Sequence, residues 1–148
     1  MTARAIRMDE VAAGAINHRL ECFWHATGRP NDSTPWYYWP LAGYESGKGG
    51  IVPEGLVLRI KPSVNLDGRG LSTSELVIAR AMQQYGCVIG DNDGGTKNSL
   101  KLERDKLGDD CVEAPCSWKE AAPDLRYSAL EAFAWDDYEF VLGGFDPR

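Results

Sequence analysis

A run of alternating residues at positions 15–24 constrains the fold of this chain more than any other feature. Apolar side chains and one imidazole occupy its even positions: Ile16, His18, Leu20, Cys22 and Trp24. Positions 17, 19 and 21 are polar, and Phe23 is the apolar exception among the odd positions. A period of two over ten residues predicts a β-strand with one buried and one solvated face. The His18 side chain is therefore expected to point inward.

Further short strands are predicted where apolar runs lie between turn residues. These runs are 56–62, 87–90 and 138–142, and residues 98–102 are a candidate partner for 87–90 across a turn at 91–95. The strands do not alternate regularly with helices, which disfavours a doubly wound sheet. We expect a mainly β protein with a β-sandwich or jelly-roll-like fold, and an α+β domain is the alternative.

One amphipathic helix is predicted at about 71–86. Ser72 and Glu75 have the spacing of a capping box, and Gly86 can adopt the positive φ that ends a helix. A single helical turn is predicted at 9–14, with Asp9 as N-cap and Gly14 as its last residue. Residues 103–122 are weakly patterned, and we expect a loop there with one helical turn.

Length and charge bound the class of protein. The chain has 148 residues, of which 43% are hydrophobic and 26% charged, which predicts a single globular domain over 1–148 with a flexible tail at 143–148. A formal net charge of −6 disfavours nucleic acid and anionic membrane surfaces as partners. No apolar run is long enough for a membrane span, and the N-terminus lacks the apolar stretch of a signal peptide. A cytoplasmic chain and a mature or truncated one are both consistent with this.

The four cysteines fall into two groups. Cys22 and Cys87 lie among apolar strand residues, where a free thiol behaves as a small hydrophobe. Cys111 and Cys116 flank a tight loop that a disulfide could close in an oxidising compartment, and both the bridged and the free states are consistent with the sequence. No Cys-x-x-Cys motif exists and the chain has only 2 histidines, so a zinc site is disfavoured.

The aromatic loop, residues 26–50, is the most unusual local feature. Its glycines and prolines enclose four consecutive aromatic residues: Trp36, Tyr37, Tyr38 and Trp39. These rings cannot all face inward, and an exposed ring can stack on a sugar or anchor a protein interface. The alternative is a loop that folds back and caps the core with the same rings.

Two polar positions are candidates for chemistry. His18 is either a core residue with satisfied ring nitrogens or, if its face opens into a cleft, a general base. Asp91 and Asn92 begin a segment that superficially resembles a calcium loop, but the required glycine and glutamate are missing, which excludes an EF-hand. A looser calcium site formed by Asp91, Asn92 and Asp93 is an alternative to a plain turn. The sequence contains no nucleophile-elbow, P-loop, dinucleotide or zinc-protease motif.

Several motifs follow one another along the chain in a fixed order. They are Glu10-Val-Ala-Ala-Gly-Ala-Ile-Asn-His-Arg-Leu20, Trp39-Pro40, Pro53-Glu-Gly-Leu-Val-Leu58, Ile78 through Tyr85-Gly86 to Asp91-Asn92, and Ala132-Phe133. Over roughly residues 9–135, this order resembles a group of bacterial secreted or surface-attached proteins. Arg19 and Cys87 depart from the group's pattern, in which alanine and methionine occupy these positions.

The resemblance implies a β-sandwich, an extracellular location, and His18, Asp91 and Asn92 as site residues. Members of the group often carry a longer N-terminal segment with further strands. Two alternatives follow: the chain is the C-terminal portion of a larger fold, or it is complete and its open sheet edge is covered by a second copy or another subunit.

Three function hypotheses follow. The first is a carbohydrate-binding module that contacts a neutral glycan through Trp36, Tyr37, Tyr38, Trp39 and Asn92, without a cofactor unless calcium is bound. The second is a polysaccharide hydrolase or lyase with His18 and Asp91 as catalytic residues. The third is a structural or assembly protein of a surface or virion, in which the aromatic side chains anchor an interface.

Overall fold

A computed structural model describes residues 4–45, 47–92, 98–126 and 128–142. Within these ranges the strands are β1 (Leu20–Trp24), β2 (Val57–Ile60), β3 (Cys87–Asn92), β4 (Ser99–Leu100) and β5 (Tyr138–Val141). The α-helices are α1 (Met8–Ala13), α2 (Thr73–Gln84) and α3 (Trp118–Ala121). Short 3-10 helices cover Asp67–Arg69, Gly108–Asp110, Ala129–Ala132 and Trp135–Asp137.

The strands form one mixed sheet in the order β4-β1-β3-β2-β5. β1 and β3 run parallel to each other, and the other neighbouring pairs are antiparallel. β4 therefore pairs with β1, through Cys22 with Leu100 and Phe23 with Ser99. The prediction that residues 98–102 form a hairpin with 87–90 is wrong, because β1 occupies the position beside β3. Residues 91 and 92 of the predicted turn belong to β3, and residues 93–95 lie outside the described residues.

All three helices contribute to one core on one face of the sheet. The core combines Leu20 and Cys22 of β1, Cys87 and Ile89 of β3, and Leu58 and Ile60 of β2 with Met8, Val77, Met82 and Ala121 from the helices. In the described part of the chain no second sheet packs on the first, so the β-sandwich expectation does not describe it. A five-stranded mixed sheet with helices is the α+β alternative, and the β-rich character holds.

The main helix begins and ends as its sequence predicts. The backbone N of Ser72 donates a hydrogen bond to Glu75 over 2.8 Å, and the Ser72 hydroxyl accepts one from the Glu75 backbone N over 3.3 Å. Gly86, with φ of 70°, follows α2 and leads directly into β3. α1 ends at Gly14 with φ of 82°, but its N-cap is Arg7 and not Asp9.

The first strand is half as long as the alternation predicts. β1 starts at Leu20, whose backbone N donates to the Gly86 carbonyl and whose partner in the ladder is Cys87. Residues 15–19 lie upstream of the point where β3 begins, so they have no neighbouring strand there. The prediction of a strand over 15–19 is wrong for this reason, although Ile16 is buried.

Two further observations concern the state of Cys111 and Cys116 and the length of the helices. Cys111 and Cys116 form a disulfide, with their Cα atoms 5.5 Å apart, which decides between the two states left by the sequence. Among the described residues, every helix is too short or too polar to cross a lipid bilayer.

Candidate functional site

The aromatic loop is held by backbone bridges within itself and to the segment that leads into β2. Backbone bridges join Thr27 to Val52, Gly28 to Gly50 and Tyr37 to Glu54. A side chain at Gly28 would collide with the Gly50 carbonyl, so the close approach of the two segments requires glycine there. Although it has no long strand, the loop is held by backbone hydrogen bonds.

Most of the loop's aromatic rings pack on one another. Trp36 stacks on Tyr44 with ring centroids 5.1 Å apart and an interplanar angle of 8°, and Tyr37 follows at 6.1 Å from Tyr44. The Arg29 guanidinium lies over the Trp36 ring, 4.7 Å from its centroid. Trp36 is thus engaged inside the loop, and its ring is half-buried.

Trp39 differs from the other rings because 71% of its surface is exposed. Tyr37 and Tyr44 are also partly exposed, at 38% and 43%, and Tyr38 is half-buried. The expectation that the four consecutive rings do not all face inward is therefore confirmed. Trp39 is the one whose ring offers a large free face.

A shallow groove of about 370 Å³ lies beside this stack. The side chains that line it are Arg29, Asn31, Asp32, Trp36 and Ile51. Arg29 is paired with Asp32 over 2.6 Å, so the charges of the groove largely cancel. Its wall offers hydrogen-bonding groups next to an indole, a combination suited to a polar, uncharged ligand.

Asp91 lies at the end of β3, where the aromatic loop meets the sheet. Its carboxyl group hydrogen-bonds the Glu45 carboxyl group. Burial raises the pKa of Asp91, and the contact with Glu45 raises it further. The pKa of Glu45 is lowered, first by the hydrogen bond from Asn92 Nδ2 at 3.2 Å and then by Asp91. The two pKa values are thus displaced in opposite directions, that of Asp91 upwards and that of Glu45 downwards.

Asn92 connects this acid pair to the start of the loop. Its Oδ1 accepts from the Thr27 backbone N over 2.8 Å and lies 2.8 Å from Thr27 Oγ1. Thr27 Oγ1 is also 3.1 Å from Oε1 of Glu54, and both Thr27 and Glu54 are 2% exposed. Burial raises the pKa of Glu54. The amide oxygen of Asn92 is therefore used inside the protein, and this residue supports the loop.

His18 lies at the opposite end of β1 from this site. Its Nε2 is 3.0 Å from Oε2 of Glu10, and its Nδ1 is 2.9 Å from the Arg19 carbonyl oxygen. Asp91 pairs with Phe23, five residues further along the strand, which is on the order of 15 Å at the rise of an extended chain. The structure does not bring His18 and Asp91 together. The half-buried His18 ring has both nitrogens in contact with neighbours, as its structural interpretation predicts.

Sequence reasoning singled out Asp91 but missed the carboxylates around it. Glu45 lies in an irregular loop with no periodic signal, and Glu54 enters the sequence analysis only as part of the Pro53-Glu-Gly-Leu-Val-Leu58 motif. An acidic residue between proline and glycine at the start of an apolar strand is the one local signal that could have drawn attention to Glu54. The described residues contain no group of three or more His, Cys, Asp or Glu placed to hold a metal ion, and Asp93 lies outside them.

The fold and site define an α+β chain with an aromatic loop fixed to the end of a mixed sheet. Comparison with protein-family models, with curated proteins and with solved structures finds no significant match.

Proposed function

We propose that this protein binds a neutral carbohydrate through the aromatic loop, with Trp39 as the ring that stacks on a sugar. The observation that carries the proposal is the 71% exposure of Trp39 on a loop that is held by backbone bridges and by the contact of Thr27 with Asn92 of β3. An exposed indole face can stack on a ligand, and sugar rings present apolar C–H faces that fit it.

The groove beside the stack supports the same ligand class. Asn31 and the Arg29–Asp32 pair can exchange hydrogen bonds with hydroxyl groups, while Trp36 supplies an apolar wall. A net charge of −6 opposes polyanionic glycans, so we favour uncharged polysaccharides. Trp36 and Tyr37 shape the loop, and Trp39 makes the principal contact.

The test is retention on a panel of insoluble neutral polysaccharides, such as cellulose, chitin, xylan and β-glucan. Trp39→Ala should lose at least about tenfold in affinity for the polysaccharide that retains the wild type, since stacking of a ring contributes more than 1 kcal/mol. Trp135→Ala is the matched control, because Trp135 is 65% exposed but lies outside the loop. Equal retention of wild type and Trp39→Ala, or no retention of the wild type by any polysaccharide, would contradict the proposal.

An enzymatic function is the second candidate, and one observation favours it. Asp91 and Glu45 have pKa values displaced in opposite directions, as in acid–base pairs. However, their carboxyl groups are hydrogen-bonded to each other, whereas glycoside hydrolysis places a sugar between carboxyl groups that are about 5 Å or more apart. Release of reducing sugars that is lost in Asp91→Asn would favour this candidate over simple binding.

An assembly function is the remaining alternative. The described sheet is open, with β4 and β5 at its edges, and an edge can pair with another chain. Light scattering distinguishes this candidate, because a particle mass that stays monomeric at all concentrations argues against the aromatic side chains being anchors between copies.

A further inference from the structure

Two cysteines lie together at the centre of the sheet. Cys22 of β1 pairs with Ile89 of β3, and Cys87 of β3 pairs with Leu20 of β1, so the two side chains point to the same face of neighbouring strands. That face carries the core, and the exposures of Cys22 and Cys87 are 4% and 0%. The two thiols therefore meet in an apolar, closed environment.

The sulfur atoms are closer than a non-bonded contact allows. Cys22 Sγ and Cys87 Sγ are 2.6 Å apart, whereas two non-bonded sulfur atoms rest at roughly 3.5 Å or more from each other. Both thiols are free in this structure, and a covalent S–S bond is about 2.05 Å long. Cys22 Sγ also lies 3.5 Å from the Val88 carbonyl oxygen.

We propose that Cys22 and Cys87 form an intramolecular disulfide that links the two central strands of the sheet. The Cys111–Cys116 disulfide is consistent with the proposal, because a compartment that maintains one disulfide allows a second to form and persist. The inference does not depend on carbohydrate binding. It assigns a covalent role to two residues that the sequence indicates only as small core hydrophobes.

The oxidant is a small-molecule disulfide such as glutathione disulfide. The thiolate of one cysteine attacks a sulfur of the oxidant, breaks its S–S bond and releases one glutathione thiolate. The second cysteine thiolate then attacks the resulting mixed disulfide and releases the second glutathione. Two protein thiols are oxidised and one glutathione disulfide is reduced, and the protons lost by the cysteines end on the two released thiolates.

Burial determines when this bond forms. Burial raises the pKa of the Cys22 thiol, so in the folded protein that group stays protonated and is a poor nucleophile. A closed core also excludes glutathione from both sulfurs. The bond therefore forms while the chain is still folding, and after folding it is protected from reductants.

The test uses the Cys111→Ala/Cys116→Ala double variant, which retains only Cys22 and Cys87. The reduced, denatured variant is refolded in a mixture of reduced and oxidised glutathione, then denatured without reductant and alkylated with iodoacetamide. We expect an intact mass with no alkyl group and no glutathione, and two alkyl groups after reduction. Two alkyl groups without reduction, or a glutathione adduct, would overturn the proposal.

Peptide mapping of the oxidised wild type covers the case in which the double variant does not fold. A linked pair of peptides containing Cys22 and Cys87 is expected, beside one containing Cys111 and Cys116. Alkylated Cys22 and Cys87 peptides, or links from either of them to Cys111 or Cys116, would contradict the proposal.

A melting experiment places the bond in the native fold. The bond closes a loop across a sequence separation of 65 residues, so the oxidised double variant should melt on the order of 10 °C higher than the same variant refolded and kept in reductant. A Cys22→Ala/Cys87→Ala variant provides the control, since refolding it in the glutathione mixture should not raise its melting temperature by this amount. Equal melting temperatures for the oxidised and reduced forms of the double variant would argue against the bond.

Discussion

Asn92 Oδ1 and the backbone N of Thr27 are joined by a 2.8 Å hydrogen bond that holds the start of the aromatic loop against the end of β3. The same oxygen lies 2.8 Å from the Thr27 hydroxyl. If this oxygen were removed, the Thr27 hydroxyl could still donate to Glu54 Oε1, but the backbone N of the buried Thr27 would lose its acceptor. The residue expected from the sequence to bind a ligand is thus the support of the loop proposed to do so.

Asn92→Ala should therefore lower the free energy of unfolding by about 2 kcal/mol, because it leaves a buried backbone donor unpaired. Asn98→Ala is the control, since Asn98 Oδ1 accepts from the backbone N of His25 over the same 2.8 Å but at an exposed position. We expect less than about 1 kcal/mol for that variant. Urea unfolding of both variants measures the difference, and equal losses would contradict a supporting role that depends on burial.

Trp36 and Trp39 should respond differently to replacement by alanine. Trp36→Ala removes a half-buried ring that stacks on Tyr44 and lies under Arg29, and we expect a loss of about 2 kcal/mol in unfolding free energy. Trp39→Ala removes an exposed ring, and the loss should be below about 0.5 kcal/mol. Chemical unfolding separates the two, and a larger loss for Trp39→Ala would show that its ring packs on the protein in solution.

The buried Glu54 carboxyl group predicts a specific dependence of stability on pH. Burial raises its pKa in the folded state above the ordinary value of 4.5. The stability that this proton linkage contributes is fully present below pH 4.5 and is lost as the pH rises through the folded-state pKa. Glu54→Gln keeps an acceptor for the Thr27 hydroxyl and does not titrate.

The free energy of unfolding of Glu54→Gln relative to wild type should therefore increase between pH 4 and pH 7. Urea unfolding at several pH values in this range measures the difference. A difference that stays constant with pH would show that Glu54 has the same pKa in the folded and unfolded chains.

Glu75 and Arg126 give a pH dependence of the opposite sign. Arg126 donates hydrogen bonds of 2.6 Å and 2.5 Å to the two carboxylate oxygens of Glu75, which is buried at the start of α2. These contacts lower the pKa of Glu75 from 4.5 to about 2. The associated stability is present above pH 4.5 and is lost as the pH falls towards 2.

Arg126→Ala should lower the free energy of unfolding at pH 7, because the buried Glu75 carboxylate loses its charged partner. The difference from wild type should shrink as the pH falls from 4.5 towards 2. Arg126→Lys retains the charge without the paired geometry, and its free energy of unfolding should lie between those of wild type and Arg126→Ala. If Arg126→Ala lowers the free energy of unfolding equally at pH 7 and pH 2.5, the loss does not come from the ion pair with the Glu75 carboxylate.

Local features of the fold follow from the sequence because their determinants lie within a few residues. The Ser72–Glu75 capping box and the glycine at 86 define α2, and the apolar runs at 56–62, 87–90 and 138–142 contain β2, part of β3 and β5. The loop at 26–50 is irregular, as its glycines and prolines predict, and keeps at least one ring in solvent. These outcomes depend on backbone φ preferences and on short-range periodicity.

The candidate site could be predicted only in part. Asp91 was found because it lies in a polar turn sequence, but nothing near it in the chain indicates Glu45, which is 46 positions earlier and meets it only when the loop folds back onto the sheet. His18 was placed with Asp91 by the resemblance, and the register of β1 with β3 separates them. Contacts between distant segments depend on how much surface the whole fold buries, and short-range sequence patterns do not predict this.

The sequence by itself determined the positions of the main helix and of most strands, and the presence of a ring-rich loop that cannot be wholly buried. Only the tertiary structure decided that β1 lies parallel to β3 and ends where that strand's partner residues end, that β4 joins β1, and that Trp36 is packed while Trp39 is free. The physical reason is that a strand's edge bonds equally well with many partners. The choice among them is made by the shared core that all the elements close together.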